Sequence, residues 1–472
     1  MAISATDWIQ KTKADKRLIL QQLISGRQTP DFIQLVTIDQ MGVVASLGEH
    51  FGYAIFGRDS IRVAKDLMDT HPELAHTIIF TLARLQGTKS DDISEEEPGK
   101  IHHEYRNLIF EGKPVPNYSA AILHTLQMVW GGEGTGEMTY YGSIDATPLY
   151  IRLLQSYVRA YGAETLKETY TDRDGTTKSL LDSLGAAIDW LTRKLQESEW
   201  GLLEYKRRNP NGLANQVWKD SVTAYLHTDG STANFDQGIA SIELQGYAYD
   251  ALVGASDLLR DDPRATVEWP AMAQKIQETT LDKFWMEDTV YFAEGLDRDD
   301  SGKMRQIKTL TSNPGLLLRS RLLQDLEPDS QKHYVDHIVQ MLMGPEFLTD
   351  GGIRCRALRH KEFPGFPDYH GSFTTWPKET YEIAKGLYSH GYIDVAKDLD
   401  DRVLDAVARS GEFYEFFYVN DDGSIWNNTS DALNLLRRAF GGKTTLPIPE
   451  AGQAWTISAV LEILHHRQAP SS

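Results

Sequence analysis

Apolar residues recur three and four positions apart in segment after segment of this 472-residue chain, and that spacing restricts it to a fold built from amphipathic helices. The pattern runs through 65–85, 120–128, 148–161, 180–195, 242–258, 267–284, 331–343, 380–388 and 393–407. Further candidates at 8–25, 315–323, 430–440 and the cleanly amphipathic 456–465 bring the total to roughly a dozen, against short strand-like pieces at 290–292 and 412–418. A parallel sheet would need strands alternating with the helices, and no such alternation is present. The chain is therefore expected to be all-α, with a closed ring of helical hairpins, an inner set inside an outer set. An open stack of helical repeats is the competing arrangement, but no fixed-period consensus runs through the segments. No Ser- or Pro-rich linker divides the chain, so the expectation is a single domain over 1–472.

Between the helical segments lie stretches rich in glycine, proline, aromatics and carboxylates: 51–60, 95–106, 131–147, 204–235, 345–377 and 411–428. Loops projecting from a rigid scaffold are where binding groups concentrate. Several function classes are excluded first. With 48 Lys and Arg against 67 Asp and Glu the net charge is -19, which repels a phosphate backbone, and the densest basic runs, 206–208 and 354–361, are short. No nucleic-acid partner is expected. Nor is a membrane partner, because no uncharged apolar run reaches about 18 residues.

The single cysteine, Cys355, forms no internal disulfide, and the first residues lack a leader-like apolar stretch, so a cytoplasmic location is expected. No phosphate-binding loop, dinucleotide fingerprint, GxSxG elbow or HExxH pair is present, and no cofactor is expected. The doublet His102-His103 lacks a defined third ligand. No metal is expected there, and histidines bonded to carboxylates or substrate are the better reading. The glycines of 131–136 lack the Lys and Ser or Thr of a phosphate loop and read as a rim turn.

Carboxylates set among aromatics are the positive signal. Arg58-Asp59 precedes a helix; Asp59 or Ser60 would cap it, or the pair would offer fixed donors and acceptors to sugar hydroxyls. In Trp218-Lys219-Asp220-Ser221 a carboxyl sits beside an indole, where desolvation raises its pKa and suits it to general-acid work, although a helix cap fits equally well and Lys219 would oppose the rise. In 414–418, strand alternation would put Glu415 and Phe417 on one face and Tyr414, Phe416 and Tyr418 on the other. Glu415 is then either a general base or the exposed charge of a hairpin. Two separate carboxylates, one protonated and one ionised, are the minimum for cleaving a glycosidic bond, and Tyr140, Tyr141, Trp218, Trp376 and Trp455 would stack on sugar rings.

At these residues the chain resembles the glucosidase domain of glycogen-debranching enzymes and the wider amylo-1,6-glucosidase-like and glucoamylase-like proteins. The similar pieces are Phe56-Gly57-Arg58-Asp59-Ser60, Glu97 to Ile101, His103 to Arg106, Tyr140 to Leu149, Val217 to Ser221, Glu243 to Tyr247, Trp376-Pro377, Glu415 and Gly452-Gln453-Ala454-Trp455. The resemblance implies an (α/α)6 barrel with long active-site loops and a few short β-hairpins, a pocket at one mouth, and inversion by direct water attack. It assigns the acid to Asp220 and the base to Glu415, with Arg58, Asp59, Asp145 and Gln245 lining or organising the sugar site; Tyr141, Trp218, Trp376, Glu379 and Trp455 are the further residues expected to contact the sugar. Two departures stand out. Lys378-Glu379-Thr380 follows Trp376-Pro377 where relatives often carry His-Asp-Asn, and no amino-terminal β-sandwich precedes the helices, which favours a small α-glucoside or oligosaccharide over branched glycogen.

The implied activity is an inverting exo-glycosidase that releases glucose, with an α-1,6 linkage among those the resemblance suggests. A phosphate-dependent phosphorylase on the same barrel, with positive charge near Lys378 or Arg354, and a noncatalytic sugar-binding protein are the alternatives. The expected partner is a small saccharide, and homo-oligomerisation is left open.

Overall fold

The computed structural model describes residues 5–25, 31–260, 262–264, 266–361, 368–426 and 447–468. Its helices are α1 (Ala5–Gln10), α2 (Lys13–Ser25), α3 (Gly57–Asp66), α4 (Pro72–Arg84), α5 (Asn117–Trp130), α6 (Ala146–Tyr161), α7 (Leu180–Glu197), α8 (Ile242–Leu258), α9 (Glu268–Phe284), α10 (Arg321–Gln324), α11 (Pro328–Leu342), α12 (Pro377–Ser389), α13 (Ile393–Ser410) and α14 (Ala454–Gln468). A 3₁₀ segment, Asn313–Arg319, belongs with them.

Neighbour contacts close a ring. α3 packs on α6, α6 on α8, α8 on the 3₁₀ segment, that segment on α12, α12 on α14, and α14 back on α3. Outside it, α4, α7, α9, α11 and α13 back α3, α6, α8, the 3₁₀ segment and α12 in turn, and α2 lies against α13. The fold is all-α, a helical barrel with inner and outer layers.

Burial follows from position in the layers. Inner α8 is covered on nearly every side, from Ile242 through Ala255, because it meets staves on both flanks and a helix behind. Outer α9 buries only a stripe, Trp269, Ala273, Ile276, Thr279, Thr280 and Phe284, at helical spacing. Local chemistry sets the ends: Ser179 and Asp182 form a reciprocal capping box that starts α7, and Pro72, Pro328 and Pro377 occupy first-turn positions. Glycine lets the 3₁₀ stave fit between its neighbours. A Cβ on Gly386 would lie 2.5 Å from Leu318 Cβ, and one on Gly246 would lie 2.9 Å from Leu317 Cδ2.

Several boundaries differ from the sequence reading. The stretch 65–85 is two helices separated by a turn at 67–71, with Pro72 starting the second. At 315–323 the chain is 3₁₀ and then a short helix, because the Ser320 hydroxyl accepts from Leu322 N and opens a new helix there. Strand pairing at 412–418 reaches only Phe417–Tyr418, which pair with Thr374–Thr375, so the alternation does not extend to Glu415. The helix expected at 430–440 lies outside the described residues.

Six inner staves point the same way. Their first turns meet at one end through Arg58–Asp145, Asn313–Glu243 and Ser312–Glu379 hydrogen bonds and the contact of Trp376 with Trp455. Deeper in the ring, Lys378 is clamped between Asp66 and Glu382, Glu382 also pairs with Arg62 and Arg319, and Arg152 meets Asp250 at 3.0 Å. The bore is thus filled by paired charge.

Candidate active site

Where the first turns meet, a cavity of about 230 Å³ opens. Its wall takes Arg58 and Asp59 from α3, Trp376 and Trp455 from the starts of α12 and α14, and Trp218, Asp220, Tyr369 and Glu415 from the loops between staves. The remaining side is built on a three-stranded sheet, Ala54–Phe56, Glu104–Asn107 and Glu137–Tyr140, in which Phe56 pairs with Glu104 and Glu104 with Tyr140. Phe56, His103 and Glu104 reach the cavity from it, with Ala45, Phe51, Trp130, Leu213 and Gln453 completing the lining. Trp130 stacks on Tyr140, ring centroids 4.1 Å apart.

Asp220 lies in a loop, not at a helix start, and caps nothing. Burial pushes its carboxyl up to about 7, against the pull of Arg58, whose Nη2 is 3.8 Å away. Lys219 does not reinforce that pull: its ammonium turns away to donate to Ser312 Oγ at 3.0 Å and to the Cys355 carbonyl at 2.8 Å. The carboxyl is therefore suited to hold a proton near neutral pH and to deliver it.

Glu415 is 3% exposed, so it is not the charge of a surface hairpin. Burial raises its pKa well above the usual carboxylate range, and the Tyr369 hydroxyl, donating to Oε1, opposes the rise. Its own N–H is anchored to the Glu450 carbonyl at 2.9 Å. Asp59 makes no helix cap, since the α3 cap shows no side-chain bond. Burial lifts its carboxyl to about 6. The Gln453 amide satisfies both its ends when its nitrogen donates to the Ala45 carbonyl and its oxygen accepts from Trp455 Nε1 at 3.2 Å. The atom 3.3 Å from Asp59 Oδ1 is then an oxygen, and the contact is a hydrogen bond only while Asp59 is protonated.

The aromatic residues form one continuous wall. Trp376 stacks on His370 at 4.9 Å and Phe416 at 5.3 Å, and meets Trp218 and Trp455 edge-on, each at 5.7 Å. His370 is kept neutral by burial and bonds Ser221 Oγ at 3.0 Å.

Of the residues singled out from sequence, Arg58, Asp59, Trp218, Asp220, Trp376, Glu415 and Trp455 come together on this wall. Asp145 stands directly behind Arg58, 2.7 Å from Nη1. Tyr141, Gln245 and Glu379 stand off the wall, with their polar atoms taken up by protein. Tyr141 donates to the Leu85 carbonyl, Gln245 bonds both the N–H and the carbonyl of Leu203, and Glu379 accepts from Ser312. Lys378, held by Asp66 and Glu382, is buried in the bore. Among the described residues no group of His, Cys, Asp and Glu is arranged to hold a metal ion.

Sequence reasoning missed Phe51, Trp130, Leu213, Tyr369 and Gln453 as wall residues. Tyr369 lies in the loop stretch 345–377 and Gln453 in the Gly-Gln-Ala-Trp run, so both carried a signal. Phe51 and Leu213 lie in the loop stretches 51–60 and 204–235 without a signal of their own, and Trp130, the last residue of α5, carried none.

No family model and no curated protein matches the chain. Solved structures do. A glycosidase aligns over 96% of this chain and 96% of its own at 10% identity with a TM-score of 0.56. A variant glycosidase in complex with glucose does so over the same shares at 10% identity and 0.54. The GH63 mannosylglycerate hydrolase from Thermus thermophilus, also in complex with glucose, aligns over 95% of this chain and 100% of its own at 13% identity and 0.56. The chain shares its fold with these solved glycosidases. At these identities the likeness concerns the path of the backbone, and the chemistry must be argued from the residues of this cavity.

Proposed function

We propose that the protein is an inverting, exo-acting glycoside hydrolase that releases glucose from a small α-glucoside or a short α-glucan, α-1,6-linked substrates included. The observation that carries this reading is the pairing, in one aromatic-walled cavity, of Asp220, inclined to keep its proton near neutral pH, with Glu415, whose Oε1 accepts a directed hydrogen bond. Asp220 would protonate the departing glycosidic oxygen. Glu415 would take a proton from a water that attacks the anomeric carbon from the opposite face. Water adds, the C–O bond breaks, and the configuration inverts.

The cavity size supports exo action on a small substrate. At about 230 Å³ it falls below the pockets of ~300 Å³ and more that take drug-sized ligands, so it suits one pyranose and a modest leaving group. Trp455 offers a ring face to a sugar, Trp376, stacked on His370 and Phe416, backs the wall, and Arg58 and Asp59 offer a donor and an acceptor for the hydroxyls. Two solved neighbours were captured with glucose, which supports a glucosyl unit as the first to try.

The test is proton NMR of the first anomer formed from a panel of α-glucosides and short α-glucans, with and without phosphate. Immediate β-glucose without phosphate is the expected result. Initial α-glucose would reject inversion, and a sugar phosphate formed only with phosphate would make the protein a phosphorylase.

A further inference from the structure

Arg58 serves two carboxylates at once. Its Nη1 is 2.7 Å from Asp145 Oδ2, and its Nη2 is 3.8 Å from Asp220 Oδ2. Asp145 is wholly buried, stands outside the cavity wall, and has its other oxygen fixed by the Ser143 hydroxyl at 2.7 Å. It cannot touch a sugar in the cavity. A buried guanidinium facing Asp220 alone would hold that carboxyl ionised, since an opposite charge a few Å away favours the charged form. The closer ion pair with Asp145 takes up most of that charge.

We propose that Asp145 is a positioning residue that acts through Arg58, orienting the guanidinium and neutralising it so that Asp220 keeps the proton it must deliver. The proposal rests on the reading of Asp220 as the acid. The groups that face Asp220 are Arg58 and Asp59 on α3, Asp145 at the start of α6 and Tyr369 on the loop before α12. Beside burial, Asp145 and Asp59 raise its pKa, while Arg58 and, more weakly, a backbone hydrogen bond lower it. Removing the charge of Asp145 therefore removes a raising influence and frees a lowering one.

The experiment is a carbon-13 NMR titration of carboxyl-labelled aspartates in the full chain, with the Asp220 signal assigned by its loss in Asp220→Asn. In Asp145→Asn the Asp220 midpoint should fall by roughly one pH unit or more, the scale set by one nearby charge. In the double variant Arg58→Met with Asp145→Asn, which buries no lone charge and guards against a folding failure of the single variants, the midpoint should return towards the wild-type value. An unmoved midpoint in a folded Asp145→Asn, or a double variant that titrates like Asp145→Asn, would overturn the proposal.

Activity is then read on the same proteins. The high-pH limb of kcat/KM should move down with the midpoint in Asp145→Asn, while a merely structural role would lower kcat at every pH and leave the limb in place. A midpoint that moves without the limb would leave the ion-pair proposal standing and remove Asp220 from the role of acid, so the two failures are distinct.

Discussion

The Tyr369 hydroxyl donates to Glu415 Oε1 across 46 residues of chain, tying the loop before α12 to the loop before α14. Burial raises the pKa of Glu415, and this bond works against the rise. A general base must be ionised, so Tyr369→Phe should move the low-pH limb of kcat/KM upward and cut activity at pH 6 by about tenfold, the cost of one charge-assisted hydrogen bond. A pH–rate profile of the variant checks this; an unshifted limb would mean that the bond is structural only.

The two carboxylates differ in what can replace them. Asp220→Asn and Glu415→Gln should each lower kcat by about a thousandfold or more on an unactivated glucoside, since general acid–base catalysis contributes ~100- to 10,000-fold per group. A fluoride leaving group needs no proton, so α-glucosyl fluoride should restore much of the rate to Asp220→Asn and little to Glu415→Gln. Equal rescue of both would contradict the assigned roles.

Keeping Asp220 in this cavity carries a stability cost that depends on pH. Its folded pKa, about 7, lies above its unfolded value of 3.8, so the folded chain holds the extra proton and loses stability as pH rises through that range. Asp220→Asn should therefore be more stable than the wild type at pH 8, by about 2 kcal/mol once the partial exposure of the side chain is allowed for, and the gap should narrow towards pH 5. Thermal unfolding at the two pH values measures it.

Lys378 replaces the residues often found after Trp-Pro in the proteins this chain resembles, and it is locked in the bore by Asp66 and Glu382. Lys378→Met leaves buried carboxylates with less compensation and should cost about 3 kcal/mol of stability. Addition of phosphate should not change the wild-type rate through this residue, because its ammonium is already bonded. Denaturant titration and a phosphate series test the two statements.

The ring was legible because inner and outer helices of similar length leave the same three-and-four spacing in sequence. The 3₁₀ stave was not: its packing rests on Gly246 and Gly386, and glycines within a helical stretch carry no sign of what approaches them. Asp220 and Glu415 stood out as carboxylates among aromatics, which local composition records. Gln245 did not reveal its position, because its amide is bonded to Leu203, 42 residues away. The same holds for the Tyr369–Glu415 bond and the Arg58–Asp145 pair, which exist only after distant loops meet.

The closure of α14 on α3 gives chain order a meaning for the site. The cavity wall runs from Ala45 to Trp455, so it takes residues from the first inner stave and the last. During synthesis the segment carrying Arg58 and Asp59 must wait for nearly 400 further residues before Trp455 and Gln453 can face it, Gln453 and Asp59 being 394 positions apart. A nascent chain would own Asp220 long before it owned either Glu415 or a pocket, and a complete site would arrive late and all at once, with the last stave seated.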